Sequence, residues 1–287
     1  MDGSVTGVSA SPTPTSWSDD LQLAYRLADE ADALTMERFR SLDLVVETKP
    51  DLTPVSDADR AAEQALRATL SRERPGDAVL GEEYGEQPGA AGETSVDDAR
   101  CWILDPIDGT KNYVRGVPVW ASLIALRARG EIVVGVVSAP ALAMRWWAAR
   151  GHGAWTGHSL SRARRLAVSK VGALDDASLS FSEYADPAWE STGSATGFGQ
   201  LLSRVWRTRA YGDFWSHMLV AEGAVDIAVE PQLGAWDMAA LVPIVEEAGG
   251  RMTALDGSAP LDGGNAVSTN GLLHHAVLGM LGSSSDH

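Results

Sequence analysis

The most constraining feature of this 287-residue chain is the run of residues 102–112, which reads W-I-L-D-P-I-D-G-T-K-N. Its apolar beginning, residues 102–104, is typical of a buried strand, and the acidic residue Asp105 follows directly. Pro106 favours an extended conformation at Asp105, so the chain cannot pass straight into a helix. Asp108 comes three residues after Asp105. The run therefore predicts a strand that delivers two carboxylates to one point.

This pair of carboxylates indicates metal-dependent phosphate chemistry. Crowded carboxylates repel each other unless a cation lies between them, and their hard oxygen atoms suit Mg²⁺. Gly109 permits a close approach of the backbone to a ligand, and the amides of Gly109 and Thr110 are placed to hold an anion. Metal and phosphate in one loop are what phosphoryl transfer requires. An Asp-Pro turn with a solvated second aspartate is the simpler interpretation of Asp-x-x-Asp alone.

The full string D-P-I-D-G-T-K-N is more specific, and it resembles the signature of the inositol monophosphatase superfamily, a group of Mg²⁺-dependent phosphomonoesterases. Residues 236–250 resemble the second signature of that superfamily, W-D-x-A-A…E-E-A-G-G, and residues 81–83 match its G-E-E motif. The resemblance implies two or three bound Mg²⁺ ions, with Mn²⁺ as an alternative. The implied metal ligands are the carboxylates of Glu82, Asp105, Asp108 and Asp237 and the carbonyl of Ile107.

A further segment, residues 49–59, resembles the superfamily pattern K…D-x-x-T-x-x-D, although Pro54 stands where the threonine is usual. A helix cap with a flanking lysine explains the segment equally well without the resemblance. The resemblance implies catalytic roles for Lys49 and Asp57 at the edge of the site. Thr110, with Asp57, would orient and deprotonate the attacking water. Asp59 is either a neighbour of the metal ligands or a surface acid.

Several strings outside the signatures resemble the actinobacterial histidinol-phosphate phosphatase branch of the superfamily more closely than inositol monophosphatase proper. They lie at residues 112–120, 145–151, 209–214 and 230–232. Histidinol phosphate carries an amine and an imidazole, so an acid beside the leaving group is expected. Glu230 is the first candidate for this contact, and Asp213 is the second.

The remaining substrate contacts implied by the resemblance are Gly109, Thr110, Lys111 and Asp237, on the phosphate side. Arg209 follows a short strand and has two interpretations, a bidentate anion clamp or an ordinary surface ion pair. Alternative substrates are inositol 1-phosphate, fructose 1,6-bisphosphate and 3′-phosphoadenosine 5′-phosphate. A non-catalytic regulator that binds metal or phosphate is the alternative from another functional class.

The resemblance implies an α/β (α+β) fold, a layered αβαβα sandwich with two closely packed halves at residues 17–165 and 166–281, and a homodimer. Hydrophobic periodicity predicts helices at 18–40, 57–70 and 236–248, with a bend at Pro243, and a further helix beginning after Asp213. Strands are predicted at residues 77–80, 117–126, 132–138, 145–149, 178–182, 205–209 and 224–229. Residues 84–99 are expected to form a loop, and residues 1–16 and 282–287 are expected to be tails.

The charge and composition exclude some classes of partner. The formal net charge of −16 argues against a nucleic-acid-binding surface, and it makes bound metal the expected source of attraction for a phosphate. No apolar run reaches the length of a membrane span, and residues 1–16 lack the features of a signal peptide. These observations favour the cytoplasm, and the resemblance implies a small phosphomonoester as the substrate.

Overall fold

The computed structural model describes residues 17–50, 52–90 and 99–282. The predicted N-terminal tail and all but the first residue of the predicted C-terminal tail lie outside this part. Within it, none of the helices is both long and apolar enough to cross a membrane.

Two helices and a small hairpin begin the fold. Helix α1 (Ser18–Arg38) and helix α2 (Asp57–Glu73) pack side by side, and the hairpin of β1 (Val46–Thr48) and β2 (Pro54–Ser56) lies between them in sequence. Helix α1 buries the stripe of leucines and alanines that the periodicity predicts, which drives it onto the sheet that follows. The hairpin carries Lys49 between its two strands.

An eight-stranded mixed sheet forms the next layer, in the order β10-β9-β8-β7-β6-β5-β3-β4. Strand β5 (Arg100–Asp108), in the interior of the sheet, is nearly all buried, as expected for a strand covered on both faces. A five-residue helix, α3 (Thr110–Val114), follows it. The other strands are β3 (Ala78–Gly81), β4 (Gly85–Gln87), β6 (Ala121–Ala128), β7 (Glu131–Ala139), β8 (Met144–Ala149), β9 (Ala154–Ser159) and β10 (Arg162–Arg165).

A second sheet of five strands is formed by the rest of the chain, in the order β12-β11-β13-β15-β14. Strand β11 pairs in parallel with both neighbours, and β15 pairs antiparallel to β13 and β14. The strands are β11 (Ser178–Phe181), β12 (Arg207–Arg209), β13 (Ile227–Glu230), β14 (Arg251–Thr253) and β15 (Ala266–Thr269). The helices are α4 (Ala188–Ser191), α5 (Ala195–Arg204), α6 (Asp213–Ala221), α7 (Ala235–Ala239), α8 (Leu241–Glu247), α9 (Pro260–Gly263) and α10 (His274–Leu281).

Five layers result from this packing, and they confirm the predicted αβαβα sandwich. Helices α1 and α2 cover the outer face of the large sheet, where Trp102, Trp147 and the α1 leucines form one core. Helices α6, α7 and α8 fill the space between the two sheets, around Trp146 and Phe214. Helices α5 and α10 close the outer face of the small sheet. The functional residues lie where strand ends of both sheets meet the middle helices.

The sequence predicts most of these elements but not all of their limits. The predicted strand at 117–126 begins only at Ala121, and the predicted loop at 84–99 contains β4, so it is not wholly a loop; residues 91–98 lie outside the described residues. The predicted helix at 236–248 is divided into α7 and α8 at Ala240. Pro243 explains the division, since it has no N–H to donate to the carbonyl of Ala239.

Candidate active site

A cleft of about 260 Å³ opens between the two sheets, where strands β3, β5, β11 and β13 end and helices α3, α6 and α7 begin. Its walls are dominated by acidic and small polar side chains. The lining residues are Thr53, Pro54, Glu82, Asp108, Gly109, Thr110, Lys111, Ser182, Glu183, Asp186, Asp213, Glu230, Gln232, Leu233 and Asp237. Strand ends next to helix starts are where ligands commonly bind in layered α/β proteins.

Three carboxylates form a cluster at the floor of this cleft; those of Asp105 and Asp108 are buried, and that of Asp237 is half-buried. One oxygen from each of Asp105, Asp108 and Asp237 lies within 4.8 Å of the other two. Asp105 and Asp108 come from β5, and Asp237 is the third residue of α7. Each carboxylate accepts one backbone N–H, at 2.9, 2.9 and 2.7 Å, from Ile107, Phe214 and Gly234 respectively. The main chain therefore fixes the direction of all three side chains.

Burial and mutual repulsion make this cluster unfavourable when all its members are charged. Burial is the larger cause, and with the charges of the neighbouring acids it raises the pKa of Asp105 and of Asp108 well above the usual range. The pKa of Asp237 is raised to about 6, again chiefly by burial. A divalent cation would remove this cost, and a cluster made only of hard oxygen donors suits Mg²⁺. The residues present therefore fit the predicted metal.

Glu82 stands beside the cluster at the end of β3, where its N–H donates to the carbonyl of Leu104 at 3.2 Å. Lys49 reaches it from the hairpin, with Nζ 2.7 Å from Oε1 of Glu82 and 2.5 Å from Oε1 of Glu83. Burial lowers the pKa of Lys49, but the hydrogen bonds that its ammonium donates to the two glutamates, together with their charges, outweigh this effect and raise the pKa. Lys49 therefore remains a cation at the edge of the site, next to a predicted metal ligand.

The acid beside Thr110 is Asp59 and not Asp57. The Thr110 hydroxyl Oγ1 lies 3.4 Å from Oδ1 of Asp59 and donates to the carbonyl of Ile107 at 2.9 Å. Asp59 is wholly buried, and burial raises its pKa to about 6. Asp57 faces away, and its Oδ2 accepts a hydrogen bond from Arg38 at 2.7 Å. The prediction that Asp57 acts with Thr110 is therefore wrong in its geometry.

A local signal in the sequence identifies Asp59. Ser56 precedes it by three residues, and the two form a capping box in which Oδ2 of Asp59 accepts from both the N–H and the hydroxyl of Ser56, at 2.9 and 2.5 Å. The spacing of Ser56 and Asp59 also reproduces the end of the superfamily pattern, T-x-x-D, with serine in place of threonine. In this register Pro54 no longer stands at the threonine position, and Thr53 takes the place of the first aspartate of the pattern.

Another buried acid, Glu230, lies in the same cleft at the end of β13. Its Oε1 accepts a hydrogen bond from the hydroxyl of Ser182 at 2.6 Å, and Ser182 in turn accepts from the N–H of Asp213 at 2.8 Å. Burial, with smaller contributions from the charges of Asp213 and Asp186, raises the pKa of Glu230 to about 8. Asp213 begins α6, directly before the Phe214 amide that binds Asp108. A continuous chain of contacts thus joins Glu230 to the carboxylate cluster.

Gly109 and Lys111 line the cleft, and Arg209 does not. Gly109 has a φ of 82°, and a Cβ atom there would lie 3.1 Å from the carbonyl oxygen of Val119, so the turn after β5 requires glycine. The exposed side chain of Lys111 attracts Asp213 and lowers its pKa, against a larger rise caused by burial. Arg209 is exposed on the edge strand β12, where its guanidinium donates to the carbonyl of Thr208 at 2.7 Å. The predicted anion clamp at Arg209 is therefore not formed within this chain.

Sequence and structure comparisons agree on a single family. A model of the inositol monophosphatase family matches residues 16–284. The histidinol-phosphatase of Streptomyces coelicolor is 58% identical over 267 residues, which cover 92% of this chain and 97% of that protein. The histidinol-phosphatase of Mycobacterium tuberculosis is 61% identical over 260 residues, which cover 91% of this chain and 96% of that protein.

A solved structure agrees with the sequence matches. The extragenic suppressor protein of Bartonella henselae superimposes with a TM-score of 0.81 at 29% identity, covering 92% of this chain and 99% of that chain. The shared fold extends through both sheets and the helices between them, because so little of either chain is left unmatched. The protein described here belongs to the inositol monophosphatase family.

Proposed function

We propose that this protein is a Mg²⁺-dependent phosphomonoesterase that hydrolyses L-histidinol phosphate to L-histidinol and phosphate. The observation that carries the proposal is a cleft with a cluster of three carboxylates, at Asp105, Asp108 and Asp237, joined by hydrogen bonds to the separate buried acid Glu230. The first group suits a metal and a phosphate, and the second suits a cationic leaving group. The 58–61% identity to two proteins named histidinol-phosphatase supports the same substrate.

The metal would be held by Asp105, Asp108 and Asp237, with Glu82 and the carbonyl of Ile107 completing the ligand set. When bound, Mg²⁺ lowers the pKa of a coordinated water and neutralises charge on the phosphate oxygens. The protein supplies a rigid set of donors, because backbone amides orient three of the four carboxylates. Lys49 adds a positive charge beside Glu82, at the rim of the cleft.

Thr110 and Asp59 would handle the proton of the attacking water. Oδ2 of Asp59 is occupied by Ser56, which leaves Oδ1 directed at the Thr110 hydroxyl. With a pKa of about 6, Asp59 is ionised at neutral pH and is basic enough to accept a proton. The Thr110 hydroxyl would turn from the carbonyl of Ile107 towards Asp59, so that Oγ1 accepts the water proton while its own proton moves to Oδ1 of Asp59. Asp59 takes the role that the sequence assigns to Asp57.

The phosphate would lie against the start of α3. Gly109 and Thr110 both line the cleft, and Gly109 has no side chain to block its backbone. Backbone amides at such a turn stabilise charge on phosphate oxygens. The ammonium group of Lys111 lies on the same wall of the cleft. These contacts would hold the phosphorus in line with the water beside Thr110, and positioning of this kind dominates catalysis of phosphoryl transfer.

The leaving alcohol would face Glu230. An amine bound next to this carboxylate would restore its charge, because a nearby cation lowers the pKa that burial has raised. Ser182 fixes one oxygen of Glu230, and Asp213 and Asp186 add negative charge on the same side of the cleft. A neutral, purely hydroxylated leaving group would gain less from this surface. That difference favours histidinol phosphate over inositol 1-phosphate.

Phosphate release from L-histidinol phosphate and from myo-inositol 1-phosphate, measured side by side with Mg²⁺, tests the proposal. A higher kcat/KM for histidinol phosphate is expected. A preference for the inositol ester would keep the metal chemistry and overturn the assignment of Glu230, whereas no release from either ester would favour a non-catalytic binding role. A cytoplasmic homodimer is part of the same proposal, and light scattering of the purified protein tests the dimer.

A further inference from the structure

The turn that carries Glu82 is held by a buried carboxylate from another element. Glu63 lies in the middle of α2, and its side chain is wholly inaccessible to solvent. Its Oε2 accepts the N–H of Glu83 at 2.8 Å, and its Oε1 accepts the N–H of Tyr84 at 3.2 Å. These are the two residues that directly follow Glu82. The helix therefore fixes the backbone at the point where Glu82 leaves the strand.

Arg67 lies one helical turn further along α2, and together with Glu63 it forms a clamp on the turn that follows Glu82. Its Nε donates to Oε1 of Glu63 at 2.7 Å, and its Nη2 donates to the carbonyl of Gly85. The pair thus binds three consecutive residues of the turn, two through amides and one through a carbonyl. A buried ion pair is seldom more stabilising than apolar side chains of similar volume. Its retention here is better explained by the geometry that it imposes on the turn.

Gly81 shows how closely the clamp and the G-E-E motif fit together. A Cβ atom on Gly81 would lie 2.0 Å from Oε1 of Glu63, so a side chain there cannot coexist with the carboxylate in this position. The glycine before Glu82 is therefore explained by the approach of Glu63. The motif on β3 and the carboxylate on α2 act as one structural unit.

Glu82 differs from the other predicted carboxylate ligands in how its side chain is oriented. Asp105, Asp108 and Asp237 are each oriented by a backbone N–H that reaches their own carboxylates. The carboxylate of Glu82 is bound by Lys49, which belongs to a two-stranded hairpin outside both large sheets. The direction of Glu82 is therefore set by Lys49 together with the backbone that carries Glu82.

We propose that Glu63 and Arg67 are positioning residues that preorganise Glu82 for metal binding, a role that rests on the proposed function of Glu82 as a metal ligand. They contact neither metal nor substrate, and they act only through the turn at residues 83–85. Residues that orient metal ligands in this way typically change metal affinity by about 10- to 100-fold when they are replaced.

The test is the Mg²⁺ affinity of Glu63→Gln, measured by titration calorimetry in the absence of substrate. The variant keeps the shape of the side chain. Its amide nitrogen, however, must face an N–H group that donates to the carboxylate in the unsubstituted protein, so one of these hydrogen bonds is lost. We expect Mg²⁺ binding to weaken by about 10-fold, with kcat largely restored at saturating Mg²⁺. Arg67→Lys keeps the charge beside Glu63 and loses the second donor to Gly85, so a smaller weakening, about threefold, is expected.

Glu73→Gln is the matched control, because Glu73 lies on the same helix and pairs with Arg26 at the surface. Unchanged Mg²⁺ affinity in this variant is expected. If Glu63→Gln and Arg67→Lys both bind Mg²⁺ as tightly as the control, the positioning role is refuted. Glu82→Gln separates this failure from that of the proposed function, since unchanged Mg²⁺ affinity there would mean that Glu82 is not a ligand at all.

Discussion

The cleft has two buried acidic regions, and they differ in how their charges are compensated. In the first region Asp105, Asp108 and Asp237 place oxygens within 4.8 Å of each other, so each charge raises the cost of the next. In the second region Glu230 has a neutral hydrogen-bond partner, Ser182, and its pKa is raised mainly by burial. The first arrangement calls for a small ion of high charge. The second is satisfied by a single organic cation.

This difference suggests that one region serves the reaction common to the family and the other serves substrate selection. The crowded region can hold metal and phosphate whatever alcohol is attached, and it is encoded by the long signatures around Asp105 and Asp237. In the proposed reaction, the region of Glu230 contacts only the leaving group. Substitutions in the first region should therefore abolish turnover of every ester, whereas substitutions in the second should change the choice among esters.

Asp105→Asn should have the largest effect, because it removes a central carboxylate of the crowded region. We expect turnover of every phosphomonoester to fall by about 10³-fold or more, together with weaker Mg²⁺ binding. The melting temperature of the metal-free variant should not fall, since a neutral amide relieves repulsion among buried acids. Steady-state kinetics, calorimetric Mg²⁺ titration and thermal unfolding check the three expectations. Near-normal turnover would show that the cluster is not the reaction centre.

Asp59→Asn should separate proton transfer from metal binding within the same region. Loss of a general base typically costs about 10²-fold or more, so kcat should fall by that amount while Mg²⁺ affinity stays within about threefold. Asp57→Asn is the matched control, two residues away on the same helix, and it should keep nearly full activity because Asp57 pairs only with surface Arg38 among the contacts described. If Asp57→Asn were the more damaging change, the assignment of Asp59 would fail.

The same pair of residues shows why motif matching located the site but not every member of it. Asp105 and Asp108 lie on one strand whose pairing register shifts between them, so their convergence follows from local geometry. Asp57 and Asp59 are two residues apart on a helix, where successive positions turn by about 100°, so their side chains point to nearly opposite sides. The packing of α2 decides which side faces Thr110, and the capping box with Ser56 is the one local signal that favours Asp59.

Contacts between distant elements could not be predicted from the sequence, for a related reason. Glu63 appears in the sequence as one acid among several on an amphipathic helix, and its contact with Glu83 depends on where α2 lies against β3. Arg209 comes at the predicted strand, but that strand is the edge of the small sheet and its side chain lies outside the cleft. The five layers, in contrast, are what the resemblance implies, and hydrophobic periodicity predicts most of the helices and strands that form them.

Glu230→Gln tests the second region directly through substrate choice. We expect kcat/KM for L-histidinol phosphate to fall by roughly 30-fold, since a buried charged contact is lost. The value for myo-inositol 1-phosphate should change by less than about threefold, because that leaving group brings no cation to the carboxylate. The ratio of the two specificity constants is the measurement. Equal losses for both esters would place Glu230 in the general machinery and remove the distinction between the two regions.

The smallest expected effect is on stability, and it isolates the charge of Glu230 from catalysis. The pKa of Glu230 is raised to about 8 in the folded protein, and its ordinary value is 4.5. Between these two pH values the folded state therefore holds a proton that the unfolded state has released. The substrate-free protein should therefore lose stability between about pH 4.5 and 8. Glu230→Gln has no carboxyl to titrate at this position and so does not lose this part of the stability. As the pH rises through this window, its melting temperature should increase by a few degrees relative to that of the unsubstituted protein.

Calorimetric scans of both proteins from pH 5 to about pH 8.5, at the same saturating Mg²⁺, measure that difference, because effects of the shared metal ligands cancel. L-histidinol should raise the melting temperature of the unsubstituted protein at the upper end of the range, where its cation compensates the ionised carboxylate. It should have little effect on Glu230→Gln. If the melting temperatures of the two proteins change equally with pH, ionisation of Glu230 does not destabilise the fold. The cleft would then hold one kind of acidic region instead of two.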